Sequence, residues 1–152
     1  MQAAQQLVEF EPQFLARSSG LPYASSAARS LSRNPQYVRV HRGLYLPTTV
    51  WEKLPAEGQH LARVLSVHRS AIEPPVFSHE SAAILLGLPV YGRIDDCVHT
   101  TGAARGPNRV TPGLKRHRAS LGESDSTVIA GVRCTSVEQT LIDLARLYPA
   151  EV

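Results

Sequence analysis

The chain has 152 residues, 43% of them hydrophobic, with a formal charge of +3. That is enough apolar side chain to close one well-packed domain, or two small units sharing an interface, without metals or disulfides. Its apolar runs, such as Ala82 to Leu86, are far too short to span a bilayer, and Met1 to Glu9 lacks the basic start and apolar stretch of a signal peptide, so a cytoplasmic protein is expected.

Turn-forming clusters divide the chain into a first unit, residues 1–47, and a second, residues 51–152. Gln2 to Phe10 and Pro12 to Arg17 read as weak helices, and Ser18-Ser19-Gly20 as a turn. A helix is expected next, with Ala24, Ala27, Ala28 and Leu31 on one side and Ser26, Arg29, Ser30 and Arg33 on the other. Tyr37 to Leu46 then reads as a hairpin. A three-residue loop at His41-Arg42-Gly43 puts Val38, Val40, Leu44 and Leu46 on one face, with Gly43 in the left-handed position. It leaves Arg39 and Tyr45 facing outward and His41 and Arg42 at the tip.

Helix, helix, turn, helix and hairpin is the order of a winged helix-turn-helix, which makes double-stranded DNA the first partner to test. Ser25 and Ser26 would donate to phosphates, Arg29 and Arg33 would reach the backbone or base edges, and Arg39, His41 and Arg42 would form the wing. An ordinary hairpin whose arginines merely keep an edge strand solvated is the competing interpretation. Lysine occurs only at Lys53 and Lys115. The arginine excess suits bidentate phosphate binding, although GC-rich codon usage would produce it as well.

The second unit opens with a helix from about Ala56 to Arg69, striped by Leu61, Val64, Leu65 and His68. Pro74-Pro75 precedes a short strand, Val76-Phe77. Ser78 stands as the N-cap of a helix from His79 to Leu86 that Gly87 closes. Strand-like segments follow at Cys97 to Thr101, around Leu114 to His117, and at Thr127 to Cys134. The last helix, Val137 to Leu147, begins with capping-box signals at Thr135 to Glu138 or Ser136 to Gln139, and its apolar stripe is Val137, Leu141, Leu144 and Ala145. Because the strands after Cys97 are consecutive, the fold class is α+β: an N-terminal winged helix-turn-helix followed by a small mixed α+β domain.

No catalytic or metal-binding motif closes on spacing alone. His79-Glu80 begins like a zincin motif, but Ala83 stands where the second histidine would fall. Asp95-Asp96 has no acidic-x-lysine partner and is expected to form the turn before the Cys97 strand. His99 and His117 can lie on neighbouring strands, an arrangement equally suited to core hydrogen bonding and to function. Cys97 and Cys134 fit buried thiols in a reducing cytosol. A second basic patch, Arg105, Arg109, Lys115, Arg116 and Arg118, occupies a stretch with no acidic residue between Asp96 and Glu123. Its glycines and prolines suggest a loop that extends a DNA footprint, meets an acidic protein, or is simply solvated.

Several separate motifs resemble one family, the antitoxin and regulator proteins of abortive-infection (AbiE-type, AbiEi-like) type IV toxin-antitoxin systems, especially their actinobacterial branch. They are His41-Arg42-Gly43-Leu44-Tyr45, Ser78-His79-Glu80-Ser81-Ala82-Ala83 with Leu85 to Leu88, Val98-His99-Thr100, Arg116-His117-Arg118, and Thr135 to Ala145. The resemblance implies a non-enzymatic, DNA-binding transcriptional regulator that represses its own operon, without cofactor. It also implies an α+β region that helps counter a nucleotidyltransferase-like toxin. An alternative is the non-catalytic N-terminal part of a protein continuing into a restriction-endonuclease-like PD-(D/E)xK domain.

Overall fold

The computed structural model describes residues 15–16, 26–102 and 108–148. They form a mixed α+β structure with two sheets. Strand β1 (Leu15–Ala16), helix α1 (Ser26–Arg33), and strands β2 (Tyr37–His41) and β3 (Leu44–Pro47) come first. Their sheet has the order β1-β3-β2 and is antiparallel throughout. The proposed helices before Leu21 and the Ser18-Ser19-Gly20 turn lie outside the described residues, apart from Leu15 and Ala16, which are strand rather than helix.

The hairpin has the expected register over most of its length: Val38 faces Leu46 and Arg39 faces Tyr45. At the tip a bulge at Val40 lets His41 pair with Leu44, so the loop tightens to Arg42-Gly43, with Gly43 at φ 79°. A left-handed φ here needs a residue without Cβ. Tyr45, expected to face outward, is buried. β3 is the central strand, paired on both edges, and three consecutive residues of it, Leu44, Tyr45 and Leu46, are covered.

A four-residue helix, α2 (Thr48–Trp51), leads into α3 (Ala56–Ser70). Leu61, Val64 and Leu65 of α3 are buried as their spacing predicts, in one cluster that also takes in Leu44, Leu46, Phe77 and Cys134. The hairpin thus shares a continuous core with the rest of the fold. After β4 (Val76–Phe77), α4 (His79–Leu86) ends on Gly87 at φ 73°, whose N–H bonds the Ile84 carbonyl at 3.1 Å. This is the left-handed C-terminal stop read from the sequence.

The remaining elements are β5 (Val98–Gly102), β6 (Arg109–Thr111), β7 (Leu114–Arg118), a single 3₁₀ turn (Glu123–Asp125), β8 (Ser126–Ile129), β9 (Val132–Thr135) and α5 (Val137–Leu147). The larger sheet has the order β6-β7-β5-β4-β9-β8. β5 runs parallel to β7 and β4 parallel to β9, while the two outer pairs are antiparallel hairpins. Two expectations are corrected here. The stretch before Leu114, expected to be largely loop, contains strand β6, turned into β7 at Pro112-Gly113 with Gly113 at φ 78°. Thr127 to Cys134 is two strands, because Ala130 and Gly131 both take positive φ and reverse the chain.

α5 differs from its sequence stripe. Its buried residues are Thr140 and Asp143, whereas Val137 and Leu141 are exposed and Leu144 is half-buried. The helix packs against α4, and the residues it buries are polar. Ser136 caps it, accepting the Gln139 N–H at 3.3 Å, but the Gln139 side chain donates to Asp143 at 2.8 Å instead of closing a capping box.

Candidate functional site

Two regions concentrate side chains with chemistry. The first joins the hairpin tip to the large sheet. Arg33, at the end of α1, and Arg39 and Arg42, on the hairpin, are exposed, while His41 is half-buried. Burial first, and then the Arg39 and Arg42 charges, push the His41 pKa below its usual value, favouring the neutral ring. Ser26 and Arg29 are placed on α1 by the backbone; Ser25 and Arg105 lie outside the described residues. His41 and Arg42 share an open cleft of about 370 Å³ with Arg116, Leu114, Val67, Ser70 and Ala71. The structure therefore brings His41 and Arg42 of the hairpin and Arg116 of the second basic patch to one cleft.

That patch is split by the pleat of β7. Successive strand residues face opposite sides, so Arg116 and Arg118 fall on one face and Lys115 and His117 on the other. Arg116 lies opposite Arg109 of β6, and all three arginines are exposed. Lys115 instead donates to the Asp95 carboxylate.

The second region lies on that opposite face. In β5 and β7, His99 pairs in register with Lys115, and Thr101 with His117. His99 Nδ1 is 2.9 Å from His117 Nε2. The ring of His79, the first residue of α4, stacks on His117 with centroids 3.8 Å apart and lies 5.4 Å from His99. Asp143 arrives from α5, with its Oδ2 at 3.9 Å from His79 Nδ1. His79 holds φ 52°, a left-handed conformation that a side chain with Cβ adopts at a cost of roughly 1 kcal/mol or more.

Hydroxyls and carboxylates fix these rings. Ser78 occupies the N-cap position of α4 without capping it; its hydroxyl accepts from Thr101 at 2.7 Å and bonds His79 Nδ1 at 2.9 Å. Ser81 Oγ accepts the His99 backbone N–H at 2.9 Å and meets His60 Nε2 at 2.8 Å. His60 Nδ1 lies 3.1 Å from the Asp95 carbonyl and can only donate to it. The Ser81 hydroxyl therefore donates to Nε2. Glu80, also buried, accepts the Asp95 N–H at 2.9 Å, and Asp95 accepts the Cys97 N–H at 3.0 Å. This last bond forms the turn expected before β5, and Glu80 positions the segment that carries it.

Burial dominates the ionisation of the cluster. It pushes His79 down to about 3 and His60 and His99 to about 4, and it also lowers His117. For His79 and His99, mutual repulsion with His117 adds to the burial effect. Burial raises Glu80 and Asp143. It acts upward on Asp95 too, but the Lys115 hydrogen bond, the Cys97 N–H and the Lys115 charge outweigh it and hold that carboxyl at about 2. The result is neutral imidazoles beside an ionised Asp95. Asp143 Oδ2 and His99 Nε2 are buried without a hydrogen bond, although His99 Nε2 is 3.5 Å from Asp95 Oδ2.

The sequence put His99 and His117 on neighbouring strands without choosing between core hydrogen bonding and function, and took His79 separately, as the start of an unclosed zincin motif; it did not bring the three together. One signal was available: strand pairing of His99 with the His117 segment puts both on the face that α4 covers. Cys134 is buried, with its thiol pushed up to about 11 by that burial; Cys97 is half-buried, and both are unbridged. Among the described residues, no helix is long and apolar enough to cross a membrane. Comparison with known proteins finds no matching family model, no similar curated protein and no similar solved structure.

Proposed function

We propose that this protein is a non-enzymatic, cytoplasmic DNA-binding regulator of antitoxin type, whose first unit acts as a winged helix on its own promoter. The observation that carries this reading is the cleft that joins His41 and Arg42 at the hairpin tip to Arg116 of the large sheet, with Arg33 and Arg39 also exposed on the first unit. Support also comes from the order β1-β3-β2, with α1 leading straight into the β2-β3 hairpin, which is the arrangement a winged helix uses to present a wing beside its recognition helix. Guanidinium groups on such a surface would hold phosphates in bidentate pairs and fix the docking register.

The nucleotidyltransferase-like toxin is a proposed second partner. A surface suited to it is α5, where Val137, Leu141, Ile142 and Tyr148 at its end are exposed. Val137, Leu141 and Tyr148 recur at helical spacing, and an exposed apolar stripe of this kind is a candidate protein interface.

The test is binding to duplex DNA from upstream of its own gene at several salt concentrations. Each phosphate that the protein ceases to neutralise flattens the slope of log K against log salt by roughly 0.9. Arg39→Ala with Arg42→Ala should weaken binding and flatten the slope by about 2. A double variant with the parent slope removes the wing from the proposal, and the absence of salt-sensitive binding by the parent protein removes DNA.

A further inference from the structure

We propose that His79, His99 and His117 form a binding site for one divalent transition-metal ion, Zn²⁺ foremost, with Asp143 as the anionic group beside it. This goes beyond the DNA-binding reading and does not depend on it. One ring nitrogen from each histidine lies within 4.8 Å of the other two. Three imidazoles and a carboxylate are the donor set that borderline metals such as Zn²⁺ select, and the ligating form is the neutral imidazole.

Three further observations point to a ligand. His99 Nδ1 and His117 Nε2 face each other at 2.9 Å, and a metal would take up both lone pairs. Asp143 Oδ2 is buried without a hydrogen bond, 3.9 Å from His79 Nδ1, and so stands as an unused oxygen donor beside the rings. His79 holds its strained φ of 52°, which brings its ring over His117. Strain of this kind persists where surrounding structure imposes it and collects at ligand sites.

The outer partners are also those of a metal-binding histidine. Asp95, held ionised by Lys115, sits 3.5 Å from His99 Nε2, on the side of the ring away from His117. A carboxylate there orients the ring and raises the basicity of the other nitrogen. Ser78 Oγ lies 2.9 Å from His79 Nδ1; in the tautomer in which Nδ1–H donates to that oxygen, the other ring nitrogen of His79 keeps its lone pair. His117 is half-buried, so the cluster is not sealed from solvent on its side.

The test is titration of the chelator-treated protein with Zn²⁺ by calorimetry, and with Co²⁺ by visible absorption. One equivalent per chain should bind, with the ligand-field bands of Co²⁺ held by nitrogen and oxygen and without a thiolate charge-transfer band. His117→Gln and His79→Gln should each weaken binding by about a hundredfold or more, and Asp95→Asn by about tenfold, while His68→Gln should bind like the parent. His117→Gln alters a half-buried position and should remain folded; circular dichroism of the metal-free proteins checks this. Were the histidine variants to misfold, the Co²⁺ spectrum of the parent protein still decides. Failure of the parent to bind at micromolar metal, a thiolate spectrum, or parent-like binding by both folded histidine variants would overturn the proposal.

Discussion

His99 Nδ1 lies 2.9 Å from His117 Nε2 across two parallel strands, so two rings that repel each other when protonated are held face to face under α4 and α5. The pair can hold one shared proton at most. It makes the fold sensitive to acid through its histidines before its carboxylates titrate.

The direction follows from linkage. His60 and His99 have pKa values near 4 in the folded protein, and His79 near 3, against an ordinary 6.5. Between those limits the unfolded chain binds more protons, so stability rises with pH; the contribution is complete above 6.5 and is lost as pH falls from 6.5 towards 4. Glu80 and Asp143, raised by burial, act in the opposite sense and offset part of it. His60 alone, fully buried, represents about 3 kcal/mol. Without metal, the urea midpoint should be distinctly lower at pH 5 than at pH 7, and His60→Gln should reduce the difference. Equal midpoints would show that these rings are not held neutral.

Lys115 serves Asp95 rather than the arginine surface on the other side of its strand. Lys115→Met should release Asp95 from about 2 towards the ordinary carboxylate range, because burial then acts without the opposing ammonium. Asp95 is 30% exposed, so the stability cost should be modest, about 1 kcal/mol. Carboxyl titration followed by NMR reads the first outcome and denaturation the second. If Lys115→Met weakened DNA binding as strongly as Arg116→Ala, Lys115 would have to return to the basic surface.

Much of this architecture was legible in the sequence. Local chemistry marked the Gly87 stop, the helix bounds at His79 and Val137, and Gly43 at the hairpin tip, because each depends on residues a turn apart. The Ala130 reversal was hidden, since alanine is not a usual left-handed residue and Thr127 to Cys134 otherwise reads as one strand. The histidine cluster was hidden for another reason. Its members are 20 and 18 residues apart, from His79 to His99 and from His99 to His117, and only the parallel pairing of β5 with β7 and the placement of α4 bring them together. The stripe of α5 misled because this helix buries the Thr140 hydroxyl against Thr135 and the Asp143 carboxylate beside His79, leaving Val137 and Leu141 outside.

The inverted helix has a measurable consequence. Leu141, 54% exposed, should tolerate Leu141→Lys with a change of about 0.5 kcal/mol or less, as is usual for surface positions. Thr140, one residue earlier, is fully buried, with its hydroxyl 2.7 Å from that of Thr135. Thr140→Val keeps the shape but strands the Thr135 hydroxyl, which should cost about 1–3 kcal/mol. Chemical denaturation of the two variants tests the orientation of α5. A large loss for Leu141→Lys with none for Thr140→Val would mean that the helix is rotated.

The reversal between β8 and β9 tests backbone strain separately from packing. Ala130 at φ 48° and Gly131 at φ 81° form a two-residue turn between Ile129 and Val132. Both positions are left-handed, the pattern that suits Asn-Gly, and an alanine there costs roughly 1–2 kcal/mol relative to a relaxed backbone. Asparagine tolerates the conformation better because its side chain can bond locally. Ala130→Asn should therefore stabilise the fold by about 0.5–1 kcal/mol, whereas Gly131→Ala should destabilise it by about 1–2 kcal/mol despite open space around the added Cβ. The two effects have opposite signs for changes at adjacent exposed residues, which side-chain packing alone would not produce. Thermal melts of the two variants read those signs directly, and a destabilised Ala130→Asn would mean that the turn has a different geometry.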